Sequence, residues 1–154
     1  MTDKHHGKPI HGWVVLDKEK HISSAQLVAE AKKTLNANKV GHSGTLDPLA
    51  TGVLPLAFGE ATKTISYVMN SIKKYEFTVR WGESRDTDDV EGVATGRCDF
   101  RPSQKKITSA LPFFTGKVLQ TPPAYSAIRI NGERAYKLAR QNKAAKMKAR
   151  SVYV

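Results

Sequence analysis

Hydrophobic and polar positions divide the chain into short elements of alternating type. Trp13-Val-Val-Leu-Asp17 is an apolar, β-branched run and predicts a strand. Ser23 stands three residues before Gln26, the spacing of a capping box, and Leu27, Val28, Ala31 and Leu35 then recur at helical spacing until Asn36-Ala37-Asn38 ends the pattern. Residues 41 to 52 form a glycine-rich loop. Val53 to Phe58 is short and apolar, and fits a strand or a buried helical turn. Ala61, Ile65, Val68 and Met69 predict a short helix. The clearest period of two follows: Tyr75, Phe77, Val79 and Trp81 alternate with Lys74, Glu76, Thr78 and Arg80, which predicts a half-buried strand. Residues 83 to 92 read as an acidic loop, with Val93 to Arg97 returning as the hairpin partner of that strand. Ser103 to Leu111 reads as a helix closed by Pro112. Ala124, Ser126, Ile128 and Ile130 alternate before the tight-turn pair Asn131-Gly132. Arg134 to Gln141 is expected to be a helix with Ala135, Leu138 and Ala139 inward, and Met147 to Val154 has strand character.

Composition narrows the class. A chain of 154 residues, 40% apolar, suits one ordinary domain or a piece of a larger one and has material for a core. No run of 18 apolar residues exists, so a transmembrane helix is excluded. Met1 to His11 is polar, without the apolar stretch of a signal peptide. Cys98 stands alone and no Cys/His cluster has zinc spacing, so neither an internal disulfide nor a metal is expected. The expected address is a reducing cytoplasm. The basic charge is uneven: Arg129, Arg134, Lys137, Arg140, Lys143, Lys146, Lys148 and Arg150 are opposed by Glu133 alone. Such a patch attracts phosphate backbones, although it also fits a solvated helix face. The chain stops at Val154 inside a strand pattern, which reads as a chain cut short.

The segment richest in chemistry is Gly41-His-Ser-Gly-Thr-Leu-Asp-Pro-Leu-Ala-Thr-Gly52. Pro48 biases Asp47 toward an extended backbone, so a rigid loop could present this carboxylate to a substrate. By local chemistry alone the favoured reading is an Asx turn, with Asp47 bonding nearby amides. Other labels fail. Lys63-Thr64 follows Thr62 rather than the glycine of a phosphate-binding loop, and Ser43 is followed directly by Gly44, unlike a nucleophile elbow. Gly41-His-Ser-Gly44 matches a GXXG loop only weakly. Asp86 and Asp88 could open a calcium loop, but Val90 takes the third ligand position.

The run from Gly41 to Pro55, continuing to Gly59-Glu-Ala-Thr-Lys63, closely resembles the catalytic motif of tRNA pseudouridine-55 synthases. Gly12-Trp-Val-Val-Leu-Asp-Lys18 with Ser23-Ser24 is similar to the opening motif of that family. Lys74-Tyr-Glu-Phe77, Asp86-Thr-Asp-Asp-Val-Glu-Gly92, and Gln120-Thr-Pro-Pro-Ala-Tyr-Ser-Ala127 with Gly132 to Arg140 follow in the family's order. The opening turn departs from the pattern: the family's Asp-Lys-Pro-x-Gly is Asp17-Lys18-Glu19-Lys20-His21 here.

The resemblance implies an α+β fold, the pseudouridine synthase catalytic core, with a mixed, mostly antiparallel sheet flanked by helices. Residues 1–11 would be a polar tail and 12–154 the N-terminal part of that core, without the PUA-type domain of bacterial members. It implies a cofactor-free isomerase that flips a T-loop uridine out of tRNA, breaks its N1–C1′ bond and rejoins the base through C5. Asp47 matches the family's essential aspartate, Tyr75 the tyrosine stacked on the flipped uracil, and His42 the histidine that fills the vacated space. Read without the family, Tyr75 fits core packing and His42 a solvated loop ring. Lys63, Arg134 and Lys137 would meet RNA phosphates, whereas Asp17 and Lys18 read as structural. The family's later arginine and second pocket tyrosine have no counterpart before Val154. An active synthase, an inactive truncated fragment and a noncatalytic RNA-binding or chaperone module are therefore the three functions in competition. Oligomeric state is left open.

Overall fold

The computed structural model describes residues 7–126, 128–141, 143 and 147–154. The beginning of the expected tail (residues 1–6), Ala127 and Lys146 lie outside the described residues. Two units divide the chain, Met1–Tyr75 and Glu76–Val154.

In the first unit the elements run Gly12–Lys18 (β1), Ser24–Thr34 (α1), Val40–His42 (β2), Gly52–Phe58 (β3) and Ile65–Met69 (α2). β3 is the central strand, antiparallel to β1 on one edge and to β2 on the other. Leu16 stands opposite Leu54, while Val14 and His42 stand opposite Leu56 from the two sides. Leu54, Leu56 and Phe58 are at most 1% exposed and, with Ala37, form the core on which Leu27, Val28 and Ala31 of α1 pack. The ambiguous apolar run is therefore a strand. Pro55 survives in it because its carbonyl accepts the Ser43 N–H at 3.1 Å, just past the end of β2. The N–H and C=O of a strand residue point to one side, so proline's missing donor falls where the ladder has already ended.

Both ends of α1 follow local rules. The Ser23 hydroxyl accepts the Gln26 N–H, and the Gln26 side chain accepts the Ser23 N–H at 2.8 Å. At the far end Asn36 turns to φ 47°, its N–H reaching the Lys33 carbonyl and that of Ala37 the Lys32 carbonyl, which makes a Schellman cap. The described end of the tail is docked rather than loose, because the Asn38 N–H donates to the Lys8 carbonyl at 3.0 Å and Ile10 packs on the core. The helix expected from Ala61 begins as a tight 3-10 segment, Gly59–Thr64, and becomes α-helical at Ile65. It meets the sheet face opposite the core, where Gly41 leaves room: a Cβ there would sit 2.9 Å from Ile65 Cδ1.

The second unit corrects the most regular expectation. Tyr75 to Trp81 pairs with no described strand, and Phe77 and Val79 are exposed. Alternation supplies an apolar face, but a strand also needs a neighbour with free backbone groups. Glu83–Arg85 (β4) instead takes Ala94–Arg97 (β5), so Val93 to Arg97 pairs with a different segment from the one expected. The shorter connection costs less loop-closure entropy, and its loop is internally bonded. Asp86 Oδ1 accepts the Val93 N–H at 2.8 Å, and the Arg85 guanidinium donates to the Val90 and Gly92 carbonyls at 3.0 and 2.6 Å. Gln104–Ala110 (α3), capped by Ser103, leads through a 3-10 turn holding Pro112 into Lys117–Gln120 (β6). Arg129–Ile130 (β7) and Glu133–Arg134 (β8) flank Asn131 and Gly132, at φ 50° and 90°, as a primed hairpin turn requires. Ala135–Arg140 (α4) buries Ala135 and Ala139. Arg150–Tyr153 (β9) pairs with β6, so the terminal strand character is real. The fold is α+β with antiparallel pairing throughout its named strands, divided into one three-stranded and three two-stranded ladders.

Candidate functional site

The loop joining β2 to β3 carries Asp47, and it is anchored along its length. Ser43 is buried and tied to Pro55, as above. At Leu46 one side chain holds both backbone groups: the Ser24 hydroxyl donates to the carbonyl at 3.1 Å and accepts from the N–H at 3.0 Å. At Pro48 the carbonyl accepts the His21 N–H at 2.7 Å and the Lys18 ammonium at 3.4 Å. The Ala50 N–H closes a turn onto the Asp47 carbonyl at 3.0 Å, with Pro48 in the second turn position, where its fixed φ belongs.

The Asp47 carboxylate makes no hydrogen bond or ion pair among the described residues, and Asp47 is exposed. The Asx turn favoured by local chemistry does not form; the turn is closed by the main chain alone. The arrangement joins a fixed backbone to a free anionic oxygen pair. Chemically it can offer a nucleophile, a base or a counter-ion to a developing cation.

Lys18 is fully buried, and its ammonium donates to the Glu19 and Ile22 carbonyls at 2.9 and 2.8 Å besides Pro48. The structural role expected of it holds. It wraps the opening turn around one cation and joins that turn to the Asp47 loop. His21, standing where the family pattern has glycine, takes φ 67°, the left-handed conformation a glycine adopts freely. The turn is made here with a strained residue.

His42 lies half-buried at the end of β2, on the same sheet face as Leu56, with Nδ1 donating to the Gly44 carbonyl. That bond spans the Gly41-His-Ser-Gly44 turn and leaves Nε2 without a partner among the described residues. His42 therefore ends the strand that leads into the Asp47 loop. Tyr75 does not join them in a described element; it is 71% exposed, beyond α2. Lys63 lies in the 3-10 segment and pairs with Glu60, which holds that carboxyl below its ordinary range chiefly through the hydrogen bond. Arg134 and Lys137 belong to the second unit, Arg134 half-buried as the last residue before α4 and Lys137 exposed on the helix. Among the described residues no group of three His, Cys, Asp or Glu could hold a metal, and no helix is long and apolar enough to cross a membrane.

Ser24 was legible only as part of the opening motif. It precedes Leu27, Val28 and Ala31 by three, four and seven residues, so it lies on the buried stripe of α1. A hydroxyl there needs a polar partner inside, and that was the available signal.

Comparison with known proteins gives concordant results. The family described as "TruB family pseudouridylate synthase (N terminal domain)" matches residues 32–154. The chain is 53% identical over 151 residues to tRNA pseudouridine synthase B of Brucella anthropi, covering 98% of this chain and 47% of that protein. It is 50% identical over 154 residues to tRNA pseudouridine synthase B of Rhodospirillum rubrum, covering all of this chain and 50% of that protein. The chain thus spans about half the length of the curated relatives it matches. A chain of the crystal structure titled "Crystal Structure of a Cbf5-Nop10-Gar1 Complex" shares the fold, with a TM-score of 0.55 at 24% identity over 97% of this chain and 34% of that one. By its sequence, the chain belongs to the TruB family of pseudouridylate synthases and carries that family's N-terminal domain.

Proposed function

We propose that this polypeptide isomerises a T-loop uridine of tRNA to pseudouridine, with Asp47 as the attacking group. The observation that carries the reading is the unbonded Asp47 carboxylate on a loop anchored at Ser43, Leu46 and Pro48. Its presence within the motif that defines the family adds to this. The carboxylate bonds to C1′ as the N1–C1′ bond breaks, and the released uracil anion turns so that C5 displaces it. The C5 proton leaves to solvent and N1 takes one up, so the reaction needs no redox partner. His42 fills the space of the flipped nucleotide, and Tyr75 stacks on the extruded uracil, offsetting a few kcal/mol of unstacking. Lys63, Arg134 and Lys137 meet phosphates of the T-stem. Residues 12–154 act as the first part of the catalytic domain, in the cytoplasm where tRNA is modified.

The test is tritium release from tRNA labelled at C5 of uridine. The wild-type chain is expected to release label and Asp47→Ala to release none while keeping its fold. Release by the alanine variant, or none by the folded wild-type chain, would overturn the proposal.

A further inference from the structure

The geometry points to Ser24 as a positioning residue for Asp47, acting through both backbone groups of Leu46. The inference rests on Asp47 being the attacking group. Ser24 is 2% exposed in the first turn of α1, and its hydroxyl bridges 22 positions along the chain to a single residue. Donation to the Leu46 carbonyl and acceptance from the Leu46 N–H fix the peptide planes on either side of that residue. The second of those planes ends at the Asp47 nitrogen. The main-chain bond from the His21 N–H to the Pro48 carbonyl holds the other side, so Asp47 has little freedom to move unless one anchor fails. Among the described residues the Asp47 side chain makes no hydrogen bond or ion pair, so the backbone these anchors fix is what places it. Proximity effects are steep in such a case: a displacement of about 1 Å at a reacting group costs about 100-fold in rate.

Ser24→Ala removes the clamp without touching any group that meets the substrate. The experiment is single-turnover tritium release at saturating protein, beside tRNA affinity by filter binding, melting profiles and amide exchange at Leu46. The expected result for Ser24→Ala is a rate lower by about 10- to 100-fold with affinity within about 2-fold, and faster exchange at Leu46. Ser24→Thr, which keeps the hydroxyl, should restore most of the rate and the Leu46 protection. A wild-type rate in Ser24→Ala overturns the proposal. So does a parallel fall of rate, affinity and melting temperature that threonine fails to rescue, since that pattern describes unfolding alone. Asp47→Ala runs alongside. If it is inactive while Ser24→Ala is normal, only the positioning role fails; if it still releases label, the underlying reading of Asp47 fails as well.

Discussion

Replacing Lys18 by methionine tests whether one buried cation organises the opening turn. Methionine nearly preserves the stem and removes the ammonium, which has carbonyl partners at 2.8, 2.9 and 3.4 Å. A hydrogen bond from a charged donor contributes about 1.5–3 kcal/mol, so the two short bonds are worth about 3–6 kcal/mol together. The long contact to Pro48 adds little by this measure. Against that stands the cost of keeping an ammonium out of water, several kcal/mol in a real interior, which methionine relieves. Glu19 and Pro48 are exposed residues, so water can replace the ammonium at their carbonyls, which trims the loss further. The balance is a destabilisation of about 2 kcal/mol. With an m-value of roughly 2 kcal/mol/M, the urea midpoint should fall by about 1 M. Amide exchange locates the effect, because the His21 N–H bonded to Pro48 should lose protection before the β1–β3 ladder does. A midpoint unchanged within about 0.2 M, with His21 still protected, would refute the argument; desolvation would then cancel the bonds and the turn would hold itself.

Two further outcomes follow from the same structure. His21→Gly should raise stability by about 0.5–1 kcal/mol, since relief of a left-handed conformation costing about 1–2 kcal/mol outweighs the added chain entropy of glycine; equilibrium urea unfolding checks it, and a loss of stability would show that the imidazole contributes an unseen contact. The Glu83 carboxyl is held below its ordinary value of 4.5, first by its hydrogen bond from Arg85 and then by the charges of Arg85, Arg80 and Arg97. Its contribution is therefore complete above pH 4.5 and disappears as pH falls through the depressed folded value. Carboxyl NMR should show Glu83 titrating below pH 4.5, and Glu83→Gln should flatten this part of the acid limb of the β4–β5 hairpin; a normal titration would remove the ion pair from the account.

Much of the local architecture could be read from the chain because its causes lie within a few residues. Ser23 and Gln26 satisfy each other across one helical turn, and Asn36 ends the helix by taking a backbone conformation asparagine tolerates. Asn131-Gly132 makes its hairpin for the same kind of reason. The Asp47 motif and its family were equally plain, since a run of specific residues needs no folded context to be recognised.

Tertiary structure decided whatever depends on a partner distant in sequence. The alternation from Tyr75 to Trp81 is a sound strand pattern without a strand, because a ladder takes two segments and Glu83–Arg85 has paired with Ala94–Arg97. Val53 to Phe58 is a strand because β1 and β2 flank it; periodicity left it undecided. The placing of the Asp47 loop has the same origin. Sequence placed an aspartate before a proline and suggested a self-bonded turn, but Ser24 and Lys18 reach across 22 and 30 positions to hold the loop by its backbone. The main chain closes the turn from the Ala50 N–H to the Asp47 carbonyl, and the Asp47 oxygens take no bond among the described residues. Residue type supplied the carboxylate, and long-range hydrogen bonding fixed the backbone that carries it.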